Sequence, residues 1–309
     1  DGKKIIGYRQ AMVPESIPQT MAVIGSGAIG TELAFFYHSL GTKVTLIEYM
    51  EQIVPTEDED IAAQLSRSFR KAGIRVMTSA GVQAAQKSGH GCCLEVHTKK
   101  GVETVEAEVV LSAVGVVPNT SNMGLEEAGV EMIRGRIVVD RNFMTTVPGI
   151  YAAGDVLATP ALAHLASAEA LCCVERMAGL DVPDVDYDNV PGCIYATPEI
   201  ASVGLREKDA KKNGIPVRVG KFPFTASGKA ASAGERDGFV KLVFDASDDR
   251  LLGAHIIGAH ATEMIGGLAA SRGMKINAHD LTSTIFPHPT MSEGIMEAAA
   301  QALGQCVNL

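Results

Sequence analysis

Over the first 115 residues, apolar positions switch repeatedly between a strand spacing and a helical one. Met21-Ala22-Val23-Ile24 is a short apolar run that ends in Gly25-Ser26-Gly27-Ala28-Ile29-Gly30. Ile29, Leu33, Phe36 and Leu40 then share one face at helical spacing. Gly41 stops that helix, and Lys43-Val44-Thr45-Leu46-Ile47 predicts the next strand. A second helix is predicted over 60–72 through Ile61, Leu65 and Phe69, followed by a strand at Ile74-Arg75-Val76. Leu94 to Thr98 alternates as a half-buried strand does. Val109 to Val114 is continuously apolar, as expected of a strand covered on both faces. The segment Gly115-Val116-Val117-Pro118-Asn119 then leaves the sheet at its carboxyl end, where α/β proteins bind ligands.

Strand, glycine turn, helix and strand in this order predict an α/β fold with a Rossmann-like dinucleotide-binding domain. Gly25 permits the sharp turn, Gly27 leaves room for a pyrophosphate to approach the backbone, and Gly30 lets helix and strand pack closely. The helix N-terminus offers free N–H groups and a partial positive charge to phosphates. Glu48 ends the second strand, 18 residues beyond Gly30. A carboxylate there can accept hydrogen bonds from the adenine ribose diol and would repel a 2′-phosphate. Tyr49-Met50-Glu51 supplies no arginine to hold one, so NAD is expected rather than NADP. Gly115 is expected to line the same site.

Composition narrows the picture. The 309 residues suffice for two or three domains. A net charge of -9 argues against general nucleic-acid binding, which needs clustered Lys and Arg. No run of about 18 uninterrupted apolar residues occurs, so no membrane helix is expected. Nothing at Asp1-Gly2-Lys3-Lys4 reads as a signal peptide, and the lack of an initiating Met points to a processed or partial chain. Cys92, Cys93, Cys172, Cys173, Cys193 and Cys306 form neither a disulfide framework nor a metal-ligand spacing, so reduced, mostly buried thiols are expected and no metal.

Two later segments carry more chemistry. Thr145-Thr146-Val147-Pro148-Gly149-Ile150-Tyr151-Ala152-Ala153-Gly154-Asp155 reads as a strand ending in a glycine–acid turn, ahead of a helix opening at Ala161-Leu162-Ala163-His164. Near the end stands Phe286-Pro287-His288-Pro289-Thr290-Met291-Ser292-Glu293, followed by an Ala-rich helix to about Leu303. Two prolines hold His288 on a stiff loop. Thr290-x-x-Glu293 also reads as a capping box opening the last helix, which explains Glu293 without catalysis.

Together these segments resemble the pyridine nucleotide–disulfide oxidoreductases. Leu252 to Ile265 and Tyr195 to Gly204 resemble, within that family, the interface domain of lipoamide dehydrogenases. The resemblance implies three parts. Residues 1–142 would be the NAD-binding domain with its N-terminal linker, 143–186 a remnant of the central FAD domain, and 187–309 a C-terminal α+β dimerisation domain. It implies that Asp155 hydrogen-bonds the ribityl chain of FAD and that Leu162, Ala163 and His164 place a helix N-terminus at the flavin pyrimidine edge. It also implies that His288 is the base for a substrate thiol, with Glu293 orienting the ring. The implied activity is oxidation of dihydrolipoamide with NAD as acceptor. The implied partners are a second copy, forming a homodimer, and the lipoyl domains of 2-oxo-acid dehydrogenase complexes, in bacterial cytoplasm or mitochondrial matrix.

The sequence departs from the family's pattern. Its N-terminal FAD glycine motif and C-x-x-x-x-C pair have no counterpart here, and Asp1 to Ile6 resembles the stretch leading out of the FAD domain. Cys92-Cys93, predicted on a surface strand, and Cys172-Cys173, predicted on a helix, do not replace that pair. These 309 residues alone are therefore expected to bind NAD weakly, not to retain FAD and not to turn over substrate. Ala28 stands where many relatives carry an aromatic gate, which leaves the nicotinamide pocket more open. Glu32 matches an acid that pairs with a lysine of the absent part, so it is expected to be an exposed, unpaired carboxylate. The alternatives are another disulfide reductase, such as glutathione reductase, or an isolated NAD-binding and dimerisation module. The first would call for NADP-selecting arginines. Mercuric reductase would call for a C-terminal cysteine pair, and Cys306 is alone.

Overall fold

A computed structural model describes residues 2–89 and 91–308; Asp1, His90 and Leu309 lie outside the described residues. The chain divides into two compact units, one made of residues 1–115 with 191–309 and the other of residues 116–190.

In the first unit, strand β1 (Ile5–Ile6) and the short helix α1 (Tyr8–Ala11) lead into β2 (Thr20–Ile24), α2 (Ala28–Ser39), β3 (Lys43–Ile47), α3 (Glu59–Ala72) and β4 (Arg75–Met77). A three-stranded antiparallel sheet of β5 (Ala80–Ser88), β6 (Gly91–Thr98) and β7 (Gly101–Ala107) precedes β8 (Val109–Ser112). The remaining strands form a parallel sheet in the order β1-β8-β2-β3-β4, with β8 in the interior position its apolar run predicts.

Four expectations need correction. The strand predicted from Ile74 begins at Arg75, because the Ile74 N–H closes helix α3 on Phe69 O after left-handed Gly73. Strand β8 stops at Ser112, after which Val114 is exposed. Helix α2 buries Gly30, Thr31, Ala34 and Tyr37, whereas Phe36 and Leu40 of the predicted face are exposed. Close approach to the sheet selects small side chains there, and Tyr37 is anchored by donating its hydroxyl to Ala11 O at 2.7 Å. Cys92, predicted at a surface, is buried with Leu94 and Val96, whose side of the pleat it shares.

The second unit holds a hairpin of β9 (Met132–Ile133) and β10 (Arg136–Ile137), and helix α4 (Ala163–Met177), around a small core of Phe143, Leu157, Cys172 and Cys173. The segment 145–155 makes isolated bridges, Val139 with Thr145 and Met144 with Tyr151, rather than a continuous strand.

The chain then returns to the first unit with β11 (Gly192–Ile194), β12 (Ile200–Gly204), α5 (Glu207–Lys212), β13 (Val217–Pro223), α6 (Gly228–Ala233), β14 (Phe239–Asp245), β15 (Leu251–Ile257), α7 (Ala261–Gly273), α8 (Ala278–Ser283) and α9 (Glu293–Ala302). Its antiparallel sheet has the order β11-β12-β15-β14-β13. Alternation splits this sheet between two cores. Val240, Leu242, Phe244, Ala254 and Ile256 face one that includes Ile295, Ala298 and Ala299 of α9. Ile200, Phe239 and Ile257 join the other, with Met21, Val23 and Leu46 of the parallel sheet. Among the described residues no helix is long and apolar enough to cross a membrane.

Candidate active site

Gly25 ends β2 with φ +94°, and a Cβ there would lie 2.5 Å from Ala113 O. Gly30 sits so close beneath the turn that a Cβ would come within 2.0 Å of Gly25 O. Gly27 is different. It is the N-cap of α2, carries no side-chain cap, and a Cβ on it would meet nothing within 4 Å. The turn is therefore tight on its protein side and open on its outer side, where the first N–H groups of α2 lack intrahelical partners. Phosphate oxygens fit that cradle. Gly115, at φ +130°, also has open space around its Cβ position.

Glu48 is buried under this turn. Its Oε2 accepts the Ser26 N–H at 2.9 Å and the Ser26 O–H at 2.6 Å, and its Oε1 accepts the Met50 N–H at 2.8 Å. Ser26 O in turn accepts the Thr31 hydroxyl at 3.0 Å and the Val54 N–H at 3.1 Å. Sequence reasoning passed over Ser26. Its signal was a hydroxyl residue set between the two glycines that fix the turn.

Glu32 corrects an expectation. Its Oε1 accepts the Tyr195 N–H at 3.0 Å, so it is a half-buried carboxylate with a partner. Burial pushes its carboxyl above the ordinary range, against the pull of that N–H.

Within residues 116–190, Asp155 is exposed beside left-handed Gly154, and Leu162 is the N-cap of α4, which starts at Ala163 and His164 with no side-chain cap. What holds the turn is Glu169, a fully buried carboxylate that accepts the Gly154 N–H at 2.6 Å and the Tyr187 hydroxyl at 3.1 Å. Burial, then the Glu169 charge, pushes the Tyr187 phenol up to about 12. Glu169 was also missed. It lies four residues after Leu165 and three before Cys172, on the helix face that goes inside, and an acid on that stripe is the readable sign.

His288 and Glu293 are brought together on the loop that opens α9. His288 Nδ1 lies 2.8 Å from Glu293 Oε1, and the Thr290 N–H donates to Glu293 Oε2 at 2.8 Å. One carboxylate thus accepts from both the ring and the loop backbone. The expected capping box is not formed: α9 begins at Glu293, its N-cap is Ser292 with no side-chain cap, and the Thr290 hydroxyl donates to Pro287 O. Partial burial pushes the Glu293 carboxyl up, but the Thr290 N–H and the His288 ring outweigh it and hold it below the usual range. A carboxylate only accepts, so Nδ1 carries the hydrogen and Nε2 of this 77% exposed side chain is left to take a proton.

Comparison with known proteins adds an independent line. Residues 1–170 match the family model described as pyridine nucleotide-disulphide oxidoreductase, and residues 190–299 match the dimerisation domain of the same family. The chain is 45% identical over 310 aligned positions to a dihydrolipoyl dehydrogenase of Rhizobium etli, covering all of this chain and 64% of that protein. It is 41% identical to a dihydrolipoyl dehydrogenase of Bacillus subtilis, covering all of this chain and 65% of that protein. Among solved structures, LpdA from Mycobacterium tuberculosis is similar with a TM-score of 0.88 at 31% identity, over 97% of this chain and 65% of that one. The HOCl-induced flavoprotein disulfide reductase RclA from Escherichia coli gives a TM-score of 0.88 at 26% identity, over 96% of this chain and 68% of that one. The chain thus spans less than two thirds of the length of these curated relatives.

Proposed function

Because the chain belongs to the pyridine nucleotide-disulphide oxidoreductase family, we propose that it is part of a flavoprotein that oxidises protein-bound dihydrolipoamide, with NAD as electron acceptor. The observation that carries this reading is the His288–Glu293 pair, a base with a fixed tautomer on a proline-bounded loop. In the proposed reaction two thiols become a disulfide, NAD+ becomes NADH and one proton is released. His288 Nε2 takes the proton from the substrate thiol, since the thiolate is the reactive form. Glu293 keeps Nδ1–H in place and offsets the charge that the ring gains.

Gly25, Gly27, Gly30 and Gly115 would seat the NAD backbone, and Glu48 would select against a 2′-phosphate. The dry hydrogen bonds of Glu48 to Ser26 support that role, because they hold its charge beside the turn. FAD, when bound, supplies two-electron transfer between a thiol pair and the nicotinamide. Asp155, with Leu162, Ala163 and His164 at an uncapped helix N-terminus, would hold part of it, and Glu169 would fix the turn that presents Asp155. A homodimer through residues 187–309 and docking of lipoyl domains complete the proposal, with residues 1–142 and 143–186 as the NAD and FAD portions.

The test is NADH formation from dihydrolipoamide by the full-length protein. His288→Gln is expected to lower turnover by about 100-fold or more. Wild-type turnover in that variant removes His288 from the mechanism, and equal use of NADP removes the reading of Glu48.

A further inference from the structure

Lys241 lies in the middle of an otherwise apolar strand, Phe239-Val240-Lys241-Leu242-Val243-Phe244, and is buried. The strand registers explain why a charge is tolerated there. Ser202 pairs with His255, His255 with Lys241 and Lys241 with Lys221, so four polar residues stand directly opposite one another across β12, β15, β14 and β13. They occupy the face that meets the parallel-sheet half, where the chain entering α3 reads Glu57-Asp58-Glu59-Asp60. The Lys241 ammonium donates to Asp58 Oδ1 at 2.8 Å, Asp60 Oδ2 at 2.9 Å and Glu207 Oε2 at 2.8 Å. Lys221 reaches Asp60 Oδ1 at 3.3 Å. The two halves are therefore joined by a charged seam as well as by apolar packing.

His255 is the vulnerable member. It is 1% exposed, and its Nε2 lies 3.1 Å from Leu205 O. A carbonyl only accepts, so Nε2 carries the hydrogen and Nδ1 holds a buried lone pair with no partner among the described residues. A second proton would make Nδ1 a buried donor without an acceptor. It would also place a cation opposite the Lys241 ammonium and near Arg206. Asp58 and the Leu205 carbonyl favour the charged ring, but neither reaches Nδ1 with a hydrogen bond, and Asp58 already serves Lys241 and the Asp60 N–H.

We infer that the Ser202–His255–Lys241–Lys221 row and the Glu57–Asp60 run form an acid-sensitive latch, which loosens the two halves of this unit when His255 takes up a proton. The groups facing His255 are Ser202 from β12, Lys241 from β14, Leu205 O and Arg206 from the segment after β12, and Asp58 with Glu57 from the start of α3. Burial holds the ring below its ordinary value, with Asp58 opposing. The closed seam then binds fewer protons than the open one. Its stability is full above about pH 6.5 and falls as pH drops. Asp60 and Glu207 are held low by their lysines, against burial, and so stay ionised through that window. Glu57 is pushed up by burial and works in the opposite sense, so it cannot be the trigger.

Amide hydrogen exchange of this protein at pH 7.5 and 5.5, corrected for intrinsic rates, tests the latch. Protection in the first turn of α3 and in β14 and β15 is expected to fall about tenfold at the lower pH, with β2 and β3 unchanged. His255→Gln is expected to abolish the difference. Flat protection in the wild type, an equal fall in His255→Gln, or a uniform loss over the whole chain would each overturn the proposal. Should that variant not fold, the wild-type imidazole titration followed by NMR decides. A midpoint below about 6.5 supports the latch, and a midpoint at or above it overturns it.

Discussion

Glu48 Oε2 accepts both the N–H and the O–H of Ser26, at 2.9 and 2.6 Å, so the acid that ends β3 and the glycine turn that ends β2 are one hydrogen-bonded body. Ser26→Ala removes a hydroxyl from a buried carboxylate. It is expected to cost about 1–3 kcal/mol of stability. NAD binding should weaken with it, because the Gly25–Gly30 turn loses its tether. Urea unfolding and an NAD titration check both effects, and wild-type values in both would show that the Ser26 N–H alone holds the turn.

Two glycines of the turn are predicted to fail in different ways. A methyl at Gly30 would overlap Gly25 O at 2.0 Å, against backbone that cannot move independently. Gly30→Ala is therefore expected to lose about 3 kcal/mol or more. A methyl at Gly27 meets nothing. Gly27→Ala should stay within about 1 kcal/mol of wild type while binding NAD about tenfold more weakly, because the methyl occupies the space offered to phosphate. Thermal melts beside isothermal titration separate the two. Intact NAD affinity in Gly27→Ala would show that the ligand does not approach that face.

Strand β2, its turn, helix α2 and strand β3 were legible because the pattern that encodes them is local and each piece constrains the next. The buried face of α2 was misjudged for a physical reason. The larger apolar residues Phe36 and Leu40 suggested the core side, but a helix that crosses a sheet this closely buries Gly30 and Ala34. The His288–Glu293 pair was legible because five residues separate its members; the capping box read at the same place is absent, and only the Thr290 N–H bond to Glu293 remains of it. Lys241 and Asp58 are 183 residues apart, and Glu32 meets Tyr195 across 163. No local spacing encodes such contacts; only the lysine within an apolar strand hints at the first.

Lys241 gives the seam a measurable asymmetry. Lys241→Met leaves Asp58 buried without its ammonium and Glu207 short of one partner. Breaking one side of a buried network of this kind costs about 3–5 kcal/mol. Neutralising Lys241 with its two more buried partners, in Lys241→Met with Asp58→Asn and Glu207→Gln, is expected to recover most of that loss, since the remaining carboxylate, Asp60, is partly exposed and keeps Lys221. Chemical unfolding of the single and triple variants decides. A triple variant less stable than the single one would show that these carboxylates act independently of Lys241.

Glu293 holds two donors with two oxygens, and that division fixes its pH behaviour. Its carboxyl lies below the usual range because the Thr290 N–H and the His288 ring outweigh burial. A group whose folded value is depressed contributes stability that is present above its unfolded value, about 4.3, and lost as pH falls through the lower folded one. Glu293→Gln has one oxygen and no charge; with that oxygen on the Thr290 N–H, the amide nitrogen faces Nδ1 and turns the ring to the tautomer with its hydrogen on Nε2. A stability loss of about 1–2 kcal/mol is expected at pH 7. The gap to wild type should narrow as pH is lowered past about 4.3, where the wild type loses the same bonds by protonation. In the full-length protein the same variant should lower kcat about 10- to 100-fold with little change in KM, because the ring loses its orienting anion while the surface offered to substrate is kept. A change confined to KM, or wild-type turnover, would leave Glu293 with the Thr290 N–H alone, and a constant stability gap from pH 7 to pH 3 would show that its charge holds neither donor.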